Sequence, residues 1–335
     1  MSKPICYLHV GIGKTGSSAI QYALTKAHDH LLSCGLHYPD ISNNFKQVLK
    51  YKTTAGNAGK LRKILKHNGR KDVMRLLSPF SARPENLVLS CEGFSRLPFA
   101  CLEELAHGLD ILGYDIRCLV FFRPQAESLV SRYLQKVKGN KTYNKTLDDY
   151  IAHMLSPDRF DRVCNWYILA QKLAKAFGDQ NITTKWYPAV LRTQSPSVVK
   201  TTMNWLGVSL PNDCLDEEDK IINPTPGREA LVILERLNSL GWGNINFSGN
   251  FLSKAHRQGV LGSKVSLSPS LIEEIDTTTR DSNTKLLKRY CPELSVKNEL
   301  DSLKKNQQAV AIDTNKIDKL EKIALHIFRK SISAA

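Results

Sequence analysis

Lys14 stands in a run, Gly11-Ile-Gly-Lys-Thr-Gly-Ser-Ser18, whose residue types suit it to hold an anion. Glycines 11, 13 and 16 let a backbone turn sharply and come close to a ligand. The lysine supplies a positive charge, and Thr15, Ser17 and Ser18 supply hydroxyl donors. An apolar run from Ile5 to Val10 precedes the loop, the pattern of a buried strand. Ile20, Leu24, Ala27 and Leu31 follow at helical spacing, which sets Ser17 and Ser18 at a helix start. Strand, glycine-rich turn and helix N-terminus together make an anion site, because unpaired N–H groups and the positive end of the helix dipole face one point.

A Walker A nucleotide loop needs glycine, four residues, then Gly-Lys-Ser/Thr. Gly13-Lys14-Thr15 would require glycine at position 8, which is Leu8. The serine hydroxyls and the helix start follow the lysine by several residues, a different order of parts.

Two further runs place charged groups where such a loop could use them. Asn86 to Glu92 is a second strand ending in a carboxylate, and Ile116 to Phe122 is a third, ending at Arg123. Near-continuous apolar strands alternating with helices argue for an α/β fold, a P-loop-like central parallel sheet flanked by helices. Ligands of such sheets lie beyond the carboxyl ends of the strands, where Lys14 to Ser18, Glu92 and Arg123 converge. His9 and His37 are other proton acceptors, though His9 inside a strand has a core histidine as its plain alternative. Glu92 has an equally plain one, a charge partner for Lys14 or Arg123.

The rest of the chain supplies supporting elements. Gly35 to Pro39 reads as an extended turn and 40–56 as irregular. Lys60, Arg62, Lys63, Lys66, Arg70 and Lys71 read as the solvated face of helices. Residues 145–178 are expected to be helical, with Trp166 and Tyr167 as core, and Ile182 to Tyr187 to be a fourth strand. Helices follow near 195–206, 226–240 and 269–290, and 242–264 reads as a long loop. The domain division expected is 1–291 as the α/β domain, 292–313 as a polar linker and 314–335 as an amphipathic C-terminal helix. Ile317, Leu320, Ala324 and Ile327 line one face of that helix. Packing on the body of the protein or a second copy is its expected role, with an anionic membrane surface as the alternative.

The formal net charge is +15, from 47 Lys and Arg against 32 Asp and Glu. Anionic partners follow from that: a charged nucleotide, an acidic polymer, nucleic acid or membrane. Eight scattered cysteines without C-x-x-C pairs argue against zinc sites and a disulfide framework. No apolar run reaches the roughly 18 residues of a membrane span. The expectation is a reduced, soluble, cytoplasmic protein.

Lys14-Thr15-Gly16-Ser17-Ser18 resembles the 5′-phosphosulfate loop of sulfotransferases, K-[ST]-G-[ST]-[ST]. Arg123 and Ser131 have the R-x7-S spacing with which that family holds the 3′-phosphate of 3′-phosphoadenosine 5′-phosphosulfate (PAPS). Gly35 to Pro39, Leu89 to Glu92, Phe177-Gly178 and Asp281 to Tyr290 resemble the bacterial carbohydrate sulfotransferases, so the likeness runs over residues 4–291. One departure is the Gly-Ile-Gly approach to Lys14, where many relatives carry proline or histidine.

The resemblance implies transfer of a sulfuryl group from PAPS to a hydroxyl of a carbohydrate or glycolipid, leaving adenosine 3′,5′-bisphosphate (PAP), with no metal. It implies that Lys14 stabilises the leaving oxygen and that Thr15, Gly16, Ser17 and Ser18 cradle the 5′-phosphate. Glu92 would be the general base, and Tyr187 would lie near the adenine, with core packing as its alternative. Lys136, Lys138 and Lys141 could face an acidic saccharide or simply solvent. The rival functions are a magnesium-dependent P-loop kinase or NTPase, with Glu92 as a weak Walker B, a nucleotide binder without catalysis, and a nucleic-acid binder. The last has no recognisable motif here, so no specific nucleic acid is expected.

Overall fold

A computed structural model describes residues 3–50, 52, 54–67, 70–81, 85–139, 143–193, 197–211, 225–241, 245–305 and 312–332. In chain order the elements are β1 (Ile5–Val10), α1 (Ser17–Lys26), α2 (His28–Ser33), β2 (Leu36–His37), α3 (Phe45–Val48), α4 (Gly59–His67), α5 (Arg70–Ser81) and β3 (Asn86–Cys91). A short 3-10 turn, Phe94–Arg96, leads to α6 (Phe99–Ile111), β4 (Asp115–Phe122), α7 (Gln125–Gly139), α8 (Leu147–Leu155), α9 (Pro157–Val163) and α10 (Trp166–Phe177). Then come β5 (Ile182–Trp186), α11 (Tyr187–Leu191), α12 (Val198–Leu206), α13 (Arg228–Ser239), α14 (Ile245–Arg257), α15 (Pro269–Tyr290), α16 (Val296–Lys305) and α17 (Thr314–Ile332).

The chain divides into two compact units. The first comprises residues 1–124, 165–222 and 281–299 and holds the sheet. Five parallel strands run in the order β2-β3-β1-β4-β5. The central β1 is buried along almost its whole length, as a strand flanked on both sides must be. Alternation sorts the faces. Tyr7, Val88, Leu119 and Phe121 join Ile20 and Leu24 of α1 and Val199 and Met203 of α12 in one core cluster. Phe122, of opposite parity, meets Trp166 of α10. Both faces are thus covered by helices, the architecture expected from the apolar runs.

Register decides what gathers at the carboxyl ends. Val10 stands opposite Cys91, and the Gly11 amide donates to the Cys91 carbonyl (3.2 Å). β4 runs on to Phe122 beside β1. The residues after β1, β3 and β4 therefore meet at one edge, where the strand order reverses about β1.

The second unit comprises residues 125–164, 223–280 and 300–335 and is helical where described. Its core takes Leu129, Tyr133 and Leu134 from α7, Tyr150 and Ile151 from α8, Leu234 from α13 and Phe251 from α14. Leu320, Ile323 and Ala324 of α17 lie in the same core. The apolar face of that helix is packed against α13 and α14, so the face that could have met a lipid surface is covered. Glu229, buried near the start of α13, accepts from the Ser263 amide (2.8 Å) and the Asp313 amide (3.1 Å), tying two distant segments together.

Several sequence expectations change. Residues 242–264 are not one long loop: Ile245–Arg257 is helical, and Phe247, Phe251, Leu252 and Ala255 are buried on one side. Gly249 and the asparagines masked that stripe. The extended turn at 35–39 contains an edge strand, Leu36–His37, paired with β3. The fourth strand ends at Trp186, and Tyr187 opens α11. Within 292–313, Val296–Lys305 is helical. Lys141, Cys214, residues 242–244 and residues 306–311 lie outside the described residues.

No helix among the described residues is long and apolar enough to cross a membrane. The described cysteines are all unbridged.

Candidate active site

The loop after β1 is built for close approach. A methyl group on Gly11 would stand 2.7 Å from the Ser17 hydroxyl oxygen and 2.8 Å from the Glu92 Cα, so only glycine fits. Gly16 has φ +80°, a left-handed backbone, and a methyl there would meet Val198 of α12 at 2.5 Å. Lys14 itself has φ +71°, an uncommon conformation for a side-chain-bearing residue and a form of strain typical of functional turns. Thr15 is fully buried, and its hydroxyl donates to the Ile12 carbonyl (2.7 Å), closing the loop on itself.

The start of α1 has the features of an anion cradle. Gly16 is its N-cap with no side-chain cap, and no acidic residue lies in the first turn. The positive end of the helix is therefore left without a carboxylate. Ser17 is 4% exposed, and its hydroxyl oxygen has no hydrogen-bond partner among the described residues. A buried hydroxyl is ordinarily satisfied; this one faces the space that Gly11 keeps open.

Charged groups close round the loop. Arg123 donates through Nη1 to the Lys14 carbonyl (2.8 Å), and its guanidinium lies 5.3 Å from the centre of the Tyr187 ring. Trp166 Nε1 donates to the Arg123 carbonyl (2.7 Å), which fixes the strand end. Glu92 reaches the loop from the other side: a methyl on Gly13 would lie 3.0 Å from its Oε1. Lys14 is held below the usual lysine range, first by burial, with Glu92 opposing that shift and Arg123 adding to it.

His9, His37, Ser131, Lys136 and Lys138 complete the candidates. His9 is fully buried, bonded through Nδ1 to the Ser90 hydroxyl (2.9 Å), and burial lowers it to about 4. It is a neutral core histidine. His37 packs edge-on against Phe80 (5.5 Å) at the sheet margin. Ser131 is in α7, in the second unit, with Lys136 and Lys138 further along the same helix. Lys136 lies over the Tyr143 ring at 5.4 Å.

No protein-family model matches the chain, and no curated protein matches it. Among solved structures it is similar to a sulfotransferase from Alicyclobacillus acidocaldarius, at 15% identity and a TM-score of 0.48, covering 87% of this chain and 97% of that one.

Sequence reasoning missed the residues that hold the site in shape. Asn57 is fully buried and replaces a strand partner for β3: it accepts from the Ser90 amide (2.7 Å) and donates to the Pro39 and Val88 carbonyls (3.0 Å each). The Ala55 carbonyl accepts from the Glu92 amide (3.3 Å). Ser95 donates to the Gly11 carbonyl (3.0 Å), and Lys172 of α10 donates to the Ser95 and Leu97 carbonyls (3.0 and 2.9 Å). The sequence places Arg62 on a solvated face. It is instead half-buried against Gly93, where a methyl would meet its Cδ at 2.2 Å. Nothing in the local sequence marks these contacts, which join segments 18 or more residues apart.

Proposed function

We propose that this chain transfers a sulfuryl group from PAPS to a hydroxyl of a carbohydrate or glycolipid acceptor. The observation that carries the reading is the loop itself: the sulfotransferase-like run Lys14 to Ser18, with the unpartnered, buried Ser17 hydroxyl at an uncapped helix start, against Arg123 at the adjoining strand end. These residues fit a phosphate. The donor, when bound, brings an activated sulfuryl group on a phosphate leaving group.

In this reading Ser17, Ser18 and the amides of the loop receive the 5′-phosphate, while the Thr15 hydroxyl keeps the loop closed. Lys14 Nζ offsets charge that grows on the leaving oxygen. Arg123, with donors beyond the one used on Lys14, and Ser131 hold the 3′-phosphate. Tyr187 keeps the guanidinium plane oriented and lies beside the adenine. Glu92 Oε1 takes the proton of the acceptor hydroxyl and meanwhile sustains the charge on Lys14. Positioning and charge stabilisation do most of the work in such transfers. The Walker A alternative is opposed by Leu8, a fully buried strand residue where that loop needs glycine.

Calorimetric titration with PAP, ATP and AMP tests the reading. PAP is expected to bind far more tightly than AMP, and Arg123→Ala to remove that preference. Equal affinity for PAP and AMP, or magnesium-dependent ATP turnover, would overturn it.

A further inference from the structure

The end of β1 has two sides, and the sulfuryl-transfer reading uses one of them for the donor. Arg123 follows β4, on one flank of β1. On the opposite flank, beyond β3, two more guanidinium groups gather around Glu92. Arg62 of α4 lies on Gly93, with Nε 2.8 Å and Nη1 3.0 Å from where a methyl on that glycine would be. Arg96 lies beside Gly13, its Nη2 4.0 Å from a methyl built there, at the same glycine that Glu92 Oε1 approaches to 3.0 Å.

Neither arginine is taken up by a structural ion pair. Among the described residues no carboxylate lies within salt-bridge distance of Arg62 or Arg96. The Nε of Arg62 is covered and has no acceptor among the described residues, an unfavourable state for a charged donor. The backbone that carries each of them is fixed. Lys172 clamps the carbonyls on either side of Arg96, and α4 is anchored to β3 by the Ala58 amide on the Ser90 carbonyl (3.2 Å). Lys14 is coupled to the Glu92 carboxylate, and the two arginines lie against Gly93 and Gly13 next to it. Two guanidinium groups with no carboxylate partner among the described residues fit a planar or tetrahedral anion.

We infer that Arg62 and Arg96 form an anion subsite on the acceptor side of Glu92. The acceptor is accordingly a hydroxylated saccharide that already carries an anionic group, a carboxylate or a phosphate or sulfate ester, near the hydroxyl to be modified. This rests on the sulfuryl-transfer reading, which assigns the β4 flank to the donor. The anionic group sets the acceptor's register, so that its hydroxyl meets Glu92 rather than water.

The test is calorimetry on the full chain in two stages. First, PAP is titrated into wild type, Arg62→Gln and Arg96→Gln. Then, with PAP saturating, three probes are compared: a disaccharide containing glucuronic acid, its neutral carboxyl-reduced form, and a phosphorylated neutral disaccharide. PAP affinity is expected to be the same in all three proteins. The anionic probes should bind wild type about tenfold or more tightly than the neutral one, a charge-assisted contact. Either variant should bring that preference to within about twofold, by weakening the anionic probes alone. Arg62→Lys should keep part of it. The inference is overturned if neutral and anionic probes bind alike, if no anionic probe binds, or if either variant weakens PAP, which would give the guanidinium to the donor. Failure of PAP to bind wild type would instead bring down the donor reading. Arg96 is exposed, so Arg96→Gln decides the matter even where Arg62→Gln fails to fold.

Discussion

Lys14 concentrates the electrostatics of the site, and its two charged neighbours push it in opposite directions. Burial lowers its pKa, Glu92 raises it and Arg123 lowers it. The lysine acts as a cation, so binding of PAP should fall as pH rises through its pKa. Glu92→Gln removes the supporting charge and should move that alkaline limb to lower pH; Arg123→Ala should move it to higher pH. Affinity measured across an alkaline pH series checks both, and limbs moving together would contradict the geometry. Arg123→Ala should in addition weaken PAP by about tenfold or more, the worth of a charge-assisted hydrogen bond of roughly 1.5–3 kcal/mol.

At the scale of elements, the site depends on β1 and α1 meeting through a turn with no room to spare. Gly11→Ala would press a methyl against the Glu92 backbone at 2.8 Å. A loss of about 1–3 kcal/mol is expected in denaturant unfolding, together with loss of PAP binding. Val198→Ala, which empties the space beside Gly16 without touching the loop backbone, should be milder. The type and order of these elements were legible from the apolar runs, and β1 matches its expected bounds. Elements stabilised from outside were not. β2 has two residues and exists because β3 offers it a partner, and α14 hides its apolar stripe among glycine and asparagine.

On the scale of the whole molecule, the C-terminal helix is a structural part of the second unit. Leu320 is fully buried, so Leu320→Ala should cost about 2–5 kcal/mol, visible as a lower unfolding midpoint. Glu229 supplies a pH dependence. Burial would raise its carboxyl, but amide donors from Asp313, its own residue and Ser263, with Lys316, outweigh that and hold it below the ordinary value. Its contribution is full above the unfolded carboxylate range near about 4.3 and is lost as pH falls through the lowered pKa. Glu229→Gln should therefore be less stable than wild type at neutral pH, and the gap should narrow in acid. Thermal unfolding from pH 7 down to about 3 checks this, spanning that unfolded value.

The sequence alone determined the loop's residue types, the parallel sheet and the helices with clear periodicity, because these depend on neighbours within a few residues. It also named Glu92 and Arg123, since strand ends are local features. Only the tertiary structure decided which strand ends adjoin, through the register of β1 with β3 and β4. It took His9 into the core, set His37 against Phe80 at the sheet margin, and brought Asn57, Arg62 and Lys172 to the site from distant segments. The fate of a polar side chain depends on what the rest of the chain sets beside it, and a hydrogen bond spanning 77 residues leaves no mark on the sequence around either end.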